Sequence, residues 1–287
     1  GVWSMEDSDD DAAPLTPDPS GRVVVVDEGG RREQIYKRIC PCLSLVLMVT
    51  CEYVVVCAAV IPFVDEYIAK LTFFLVCSVS YVGALICAFV AALMDPGVVP
   101  PDLEAVEPDP GTLQKGERWC STCHIVRAKT TTHCSTCGFC VELYDHHCGV
   151  VGNCIARRNR RFFIGLLFFG GIGHLSMLGA GIYILIEAVK DYGSNIASQW
   201  WLYFLLFYIL FVGYTGISLC FFCGFQCFLG AANLTEKDLF GRGTSPGCDS
   251  LTSCGPNIYG LCCSPLGPSY PRSRHQFAEG RGYCEWQ

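Results

Sequence analysis

The sequence predicts an all-α polytopic membrane protein in which four transmembrane helices carry a small cysteine-rich domain between helices 2 and 3. Three observations predict it. The chain of 287 residues is 51% hydrophobic and only 16% charged, with a mean hydropathy of +0.36, which is unusual for a soluble domain. Its apolar residues gather into four runs, each long enough to cross the ~30 Å hydrocarbon core as a helix. Cysteine and histidine crowd into the polar stretch between the second and third runs.

The chain opens with an acidic run from Glu6 to Asp11 and continues through Pro14, Pro17 and Pro19, the composition of a disordered tail rather than a signal peptide. We assign residues 1–38 to this tail. The four runs fall at roughly 43–63, 71–94, 162–185 and 200–224, and Glu52 is the one charge they contain. Buried helices of soluble proteins seldom run past about twenty residues without a charge, which argues against a soluble bundle. Residues 39–94 therefore hold helices 1 and 2, residues 95–161 the cysteine-rich domain, residues 162–226 helices 3 and 4, and residues 227–287 a carboxyl-terminal tail.

Orientation follows from lysine and arginine, which are retained on the cytoplasmic side. The two short loops near 64–70 and 186–199 hold only Lys70 and Lys190 of the 20 basic residues, leaving eighteen in the tails and the central stretch. Both termini and residues 95–161 are thus expected in the cytoplasm. The net charge of -7 comes largely from tail acids, and nothing in the chain calls for a nucleic acid.

Twenty-one cysteines would suggest disulfides in a small secreted protein, but a reducing cytoplasm turns the reading toward metal binding or catalysis. Cys51, Cys57, Cys77, Cys87, Cys220 and Cys223 lie in or beside spans, where cysteine is an ordinary small apolar residue. Cys40 and Cys42 flank the first span, a common place for reversible S-palmitoylation. The informative set reads Cys120-x2-Cys123, then His133-Cys134-x2-Cys137-x2-Cys140, then Asp145-His146-His147-Cys148, then Cys154. Paired Cys-x2-Cys units followed by histidine are a zinc signature, because thiolate and imidazole suit a tetrahedral Zn²⁺.

Seven cysteines and four histidines (His124, His133, His146, His147) make eleven candidates, and two four-coordinate sites consume eight of them. A purely structural segment has no use for the remainder. In Asp145-His146-His147-Cys148 a thiol stands beside two imidazoles and a carboxylate. An imidazole withdraws the thiol proton to leave a nucleophilic thiolate, and a carboxylate fixes the imidazole's tautomer. Acyl transfer through a thioester is the chemistry this suits, and spacing leaves open which histidine is the base.

The run from Cys120 to Phe162 resembles the cysteine-rich domain of the Asp-His-His-Cys (DHHC) protein S-acyltransferases, or palmitoyltransferases. Their spacing, C-x2-C-x9-H-C-x2-C-x2-C-x4-D-H-H-C-x5-C-x4-N, is met through Cys154 and Asn159, and Asp95-Pro96-Gly97 matches the family's Asp-Pro-Gly motif. The likeness extends over roughly 40–236. It implies two interleaved structural zinc sites, Cys120, Cys123, His133 and Cys140 in one and Cys134, Cys137, His147 and Cys154 in the other. It implies that Cys148 is the nucleophile, His146 the general base and Asp145 its orienting partner. Palmitoyl-coenzyme A or another long-chain acyl-coenzyme A would be the co-substrate, and cysteines of cytoplasmic or membrane proteins the acceptors, in a ping-pong reaction. An endomembrane (Golgi or endoplasmic reticulum) or the plasma membrane would house it.

The chain departs from the family at Gly149-Val150, where Pro-Trp is usual, and at Ala128 and Thr130, where Pro and Arg are usual. The Thr-Thr-x-Glu motif after the fourth span appears only as Asn233-Leu234-Thr235-Glu236. Arg157, Arg158, Arg160 and Arg161 are candidates for the coenzyme A phosphates, although arginines at a cytoplasmic helix end are also topology signals. Gly170, Gly171, Gly173, Ser176 and Ala180 allow close helix approach, and His174 and Glu52 read as interhelical hydrogen-bonding groups. The tail carries Cys262-Cys263 and ends Cys284-Glu-Trp-Gln, where Glu285 argues against prenylation. Two other classes share parts of this pattern. A catalytically silent zinc scaffold would lack a reactive thiol, and a zinc-containing membrane ubiquitin ligase needs wider ligand spacing.

Overall fold

A computed structural model describes residues 28–102, 104–243, 254–263 and 266. The expected disorder of the first residues and the Cys284–Gln287 ending lie outside the described residues, and so do the side chains of Cys40 and Cys262. Four helices are long and apolar enough to cross a membrane, over Pro41–Phe63, Tyr67–Leu93, Arg160–Ser198 and Trp201–Ala231. They belong to α1 (Glu28–Val55), α2 (Tyr67–Leu93), α3 (Arg160–Tyr192) and α4 (Trp201–Ala231), and a short α5 follows at Cys254–Cys263. Helix α1 begins at Glu28, ahead of the first apolar run, because Arg31, Arg32, Glu33 and Gln34 are good helix formers. At its far end the helix loosens into a π-turn at Val56–Val60 and a 3₁₀ turn at Ile61–Phe63, where Pro62 offers no N–H to continue the ladder.

The chain divides into two units. One comprises Cys42–Val90 and Phe162–Phe228, most of the four spans. Its interior is a cluster of Val56, Ile61, Cys77, Met177 and Val212, while residues such as Leu47, Phe207, Tyr214 and Phe221 face outward, as lipid-facing side chains do. Small residues set the closest approaches. A Cβ at Gly171 would lie 2.7 Å from Cys220 Sγ, and one at Gly83 would lie 2.7 Å from the Phe169 ring. Glu52 and His174 meet at 3.5 Å inside this unit.

The other unit comprises Gly1–Pro41, Ala91–Arg161 and Leu229–Gln287. The all-α expectation applies to the spans alone, because this unit contains seven short strands. They are β1 (Val98–Val99), β2 (Arg118–Cys120), β3 (Ile125–Arg127), β4 (Thr132–Cys134), β5 (Phe139–Val141), β6 (His146–Cys148) and β7 (Asn153–Ile155). They form a three-stranded sheet in the order β1-β5-β4 and two hairpins, β2-β3 and β6-β7. The Cys-x2-Cys pair Cys120–Cys123 begins at the end of β2 and lies in the turn before β3, so that hairpin presents both sulfurs to one site.

Asp95 turns the chain out of α2. Its Oδ1 accepts from the N–H groups of Gly97 and Val98, both at 2.9 Å, and Gly97 takes φ 116°, a conformation suited to glycine. The last carbonyls of α2 have no partner within the helix. Asn153 Nδ2 supplies one to Ala91 O and Met94 O, and Asn159 Nδ2 supplies another to Ala91 O. Asn159 also receives Ala156 N–H and donates to Cys154 O, so the end of α2 is tied directly to the strand that carries Cys154.

Candidate active site and metal centres

The first cluster is built from the β2-β3 hairpin and the β4-β5 pair. Cys120 ends β2, Cys123 lies in its turn, and His133 stands opposite Cys140 in the β4-β5 register. Their sulfurs lie 3.6, 3.4 and 3.8 Å from His133 Nδ1. The second cluster joins Cys134 and Cys137 to His147, which stands opposite Cys154 in the β6-β7 register. Here the three sulfurs lie 3.6, 3.4 and 3.6 Å from His147 Nδ1. Side chains of adjacent strand residues point to opposite faces, so His133 and Cys134 enter different clusters although they are neighbours in sequence.

Both clusters could hold a metal ion. A tetrahedral Zn²⁺ with bonds of ~2.3 Å to sulfur and ~2.0 Å to nitrogen separates sulfur from nitrogen by about 3.6 Å, which the observed spacings match. The electrostatics point the same way. Hydrogen bonds from Cys123 and Cys140 push the Cys120 thiol far down, while those of Cys120 and Cys123 push Cys140 far up. The other cluster repeats this, with Cys134 driven down and Cys154 driven up by their thiol neighbours. Crowded sulfurs that cannot all ionise together are a donor set suited to a divalent cation.

The same alternation along β6 puts His146 and Cys148 on the face away from His147. His146 Nδ1 lies 3.2 Å from Asp145 Oδ2, and His146 shares a hydrogen bond with Cys148. Burial disfavours the imidazolium, but hydrogen bonds to Asp145 and Cys148 and the charge of Glu236 outweigh it and raise His146 to about 9. Burial also opposes the Cys148 thiolate. The His146 hydrogen bond and the backbone N–H groups of Val151 and Val150 nevertheless bring that thiol below its ordinary value. Asp145 is almost fully buried, and its ionisation is favoured against burial by His146, by the Arg160 charge and by Glu236 N–H.

Glu236 entered the sequence reading only as part of the Thr-Thr-x-Glu remnant, with no place at the site. Its N–H donates to Asp145 Oδ1 at 2.6 Å, and its Oε2 lies 3.6 Å from His146 Nδ1. A separation of 91 residues hides this contact from local pattern. Thr235 pairs with Asp238, three residues on: Thr235 Oγ1 donates to Asp238 Oδ2 at 2.8 Å, and Asp238 N–H donates back to Thr235 Oγ1 at 3.1 Å.

The remaining candidates have partners of their own. Arg157 Nη1 donates to Glu142 Oε1 at 2.6 Å, Arg160 Nη1 donates to Leu234 O at 2.8 Å, and Arg158 is buried. His124 takes φ 53° in the β2-β3 turn and lies edge-on to Trp119, outside either cysteine cluster. Gly149 follows Cys148 in open space, with no atom within 4 Å of where a Cβ would stand.

Comparison with known proteins agrees with this geometry. Residues 113–241 match the family model of the DHHC palmitoyltransferases. A palmitoyltransferase of Danio rerio, ZDHHC8B, is 28% identical over 193 residues, covering 63% of this chain and 25% of that relative. The chain thus spans about a quarter of the length of the curated relative it matches.

Proposed function

We propose that the chain, whose residues 113–241 match the DHHC palmitoyltransferase model, is a protein S-acyltransferase working through an acyl-thioester on Cys148. His146 takes the Cys148 proton, and the thiolate attacks the thioester carbonyl of a long-chain acyl-coenzyme A. The carbonyl–sulfur bond to coenzyme A breaks, and the departing thiol takes the proton from His146. In the second half an acceptor protein's thiol gives its proton to His146 and attacks the acyl-Cys148 carbonyl. Cys148 leaves and recovers the proton. Asp145 holds the imidazole by its Nδ1, while the Val150 and Val151 N–H groups steady the thiolate.

Zinc in this reading is structural: each cluster offers four protein ligands and leaves no open position for a substrate. It would fasten the hairpins that hold β6, a role apt for a small unit with little apolar core. Arg157, Arg158, Arg160 and Arg161 are the candidates for the phosphates of the acyl donor. The domain is assigned to the cytoplasmic face with both termini, and its acceptors to proteins with cysteines accessible there.

The observation that carries the proposal is the hydrogen bond of His146 to Cys148, with Asp145 on the imidazole, both residues outside the two four-ligand cysteine clusters, and Cys148 outside every group that could hold a metal ion, although His146 with Asp145 and Glu236 forms a third such group. Incubation with a labelled long-chain acyl-coenzyme A is expected to leave a hydroxylamine-sensitive label on the chain. Cys148→Ser should abolish it while two zincs per chain remain. A Cys148→Ser chain that still loads and still acylates a partner would sink the enzyme reading and favour the scaffold.

A further inference from the structure

A cavity of about 500 Å³ lies within the unit that carries the cysteine clusters, between the start of α3, the 230–238 segment and α5. That volume falls in the range of small-molecule sites. Three arginines line it, Arg157, Arg160 and Arg161. The lone carboxylate on its wall, Asp238, is already met by Arg242 Nη1 at 2.5 Å and by the Thr235 hydroxyl. Arg157 is itself paired with Glu142 at 2.6 Å, so what the cavity offers is a set of arginine N–H donors at a concave surface rather than a large unbalanced charge.

The opposite wall is neutral. Helix α5 presents Pro256, Asn257, Gly260 and Leu261. It is fastened there by Asn257 Nδ2 donating to Ala231 O at 2.7 Å and by Leu261, which packs so closely over Gly230 that a Cβ would stand 2.5 Å from it. Arg160 is held in place by its bond to Leu234 O, so part of the cationic wall is set before any ligand arrives. Depth is fixed by the chain itself. Arg160 and Arg161 are the first residues of one candidate span and Gly230 lies in the last turn of another, which puts the cavity at the level of bilayer head groups.

We propose that this cavity is a binding site for a phosphate-bearing head group, gripped by Arg157, Arg160 and Arg161 and roofed by α5. Planar guanidinium forks match phosphate oxygens, whereas the apolar roof accommodates the uncharged part of the same molecule. Two sources carry this chemistry, an anionic phospholipid and the phosphates of coenzyme A, and the coenzyme A case rests on the acyltransferase reading above. Arg158, grouped with the others in sequence, is not among the residues that line the cavity.

The test uses the full chain in phosphatidylcholine nanodiscs, with and without phosphatidylinositol 4-phosphate, and free coenzyme A as the soluble probe. Binding of one of the two is expected to weaken roughly tenfold or more in the double variant Arg157→Gln/Arg161→Gln, as the loss of charge-assisted bonds predicts. Arg157→Lys/Arg161→Lys should restore most of it, and zinc content should stay at the native value in both. Loss of coenzyme A binding alone identifies the acyl donor as the ligand, and loss of lipid binding alone identifies the membrane. Native affinity for both probes in the glutamine variant, or no binding of either by the native chain, overturns the proposal. Thioester loading of Cys148 in the native chain is measured separately, so failure of the enzyme reading remains distinguishable.

Discussion

At the residue scale the site turns on how one imidazole is surrounded. Asp145 and Glu236 both approach His146 Nδ1, at 3.2 and 3.6 Å, while Cys148 shares a hydrogen bond with the same ring. Negative neighbours favour the imidazolium, and the imidazolium in turn favours the thiolate. The Cys148 thiol is accordingly held low in the folded chain and should be alkylated by iodoacetamide with a pH midpoint below that of an ordinary cysteine, about 8.5. His146→Ala removes the positive partner, so the midpoint should move up. An unmoved midpoint would mean that backbone N–H groups alone hold the thiolate. Glu236→Gln is expected to act through the imidazole. With one negative charge gone, His146 should lose its proton at a lower pH, and any fall in loading rate near pH 9 should begin earlier. Activity profiles of the two chains compared across that range check this.

At the element scale, short strands do the sorting that helices do elsewhere. Period-two alternation along β4 and β6 sends adjacent ligands to opposite clusters and turns His146 and Cys148 away from the metal side. Cys137→Ser or His147→Ala should release zinc and unfold the hairpins rather than slow a reaction, because structural zinc contributes on the order of 10 kcal/mol to such folds. A chain keeping its native near-ultraviolet spectrum after chelation would argue otherwise. Asn159→Ala should cost about 1–3 kcal/mol for each partner left unpaired, among them Ala156 N–H and Cys154 O, seen as a lower unfolding midpoint in detergent. Much of this was legible beforehand. Ligand spacing is local, so two four-ligand sites could be counted between Cys120 and Cys154, their interleaved grouping being implied by the family resemblance, and apolar runs of span length mark helices without any partner. Glu236 and Asn153 could not be found that way: one reaches Asp145 across 91 residues and the other reaches Ala91 across 62, contacts that only folding creates. The strands were missed for a related reason, since three residues are too few for alternation to rise above background.

At the scale of the whole molecule, the proposal needs every polar component on one side of the membrane. In the proposed topology all four candidate spans cross, which would put the segment before α1, the stretch between α2 and α3, and the segment after α4 on one face, and the loops after α1 and α3 on the other. Which face is which is decided by basic residues, because lysine and arginine resist translocation. The loop residues near 64–70 and 186–199 contribute two of the 20, Lys70 and Lys190, and the latter is neutralised locally by Glu187 at 2.7 Å. A cysteine placed at Ser194, in the exposed 3₁₀ turn at Gly193–Ser198, is therefore expected to react with a membrane-impermeant maleimide only after the luminal or outer face is opened. A cysteine placed at Gly111, where no neighbouring atom stands within 4 Å of a Cβ, should react from the cytoplasmic side in intact membranes. The chain's own reduced thiols set the background, which an unsubstituted control measures. Reaction at Ser194 from the cytoplasmic face would invert the orientation and put the Cys148 thiol in a compartment where neither acyl-coenzyme A nor the acceptor proteins proposed here could reach it.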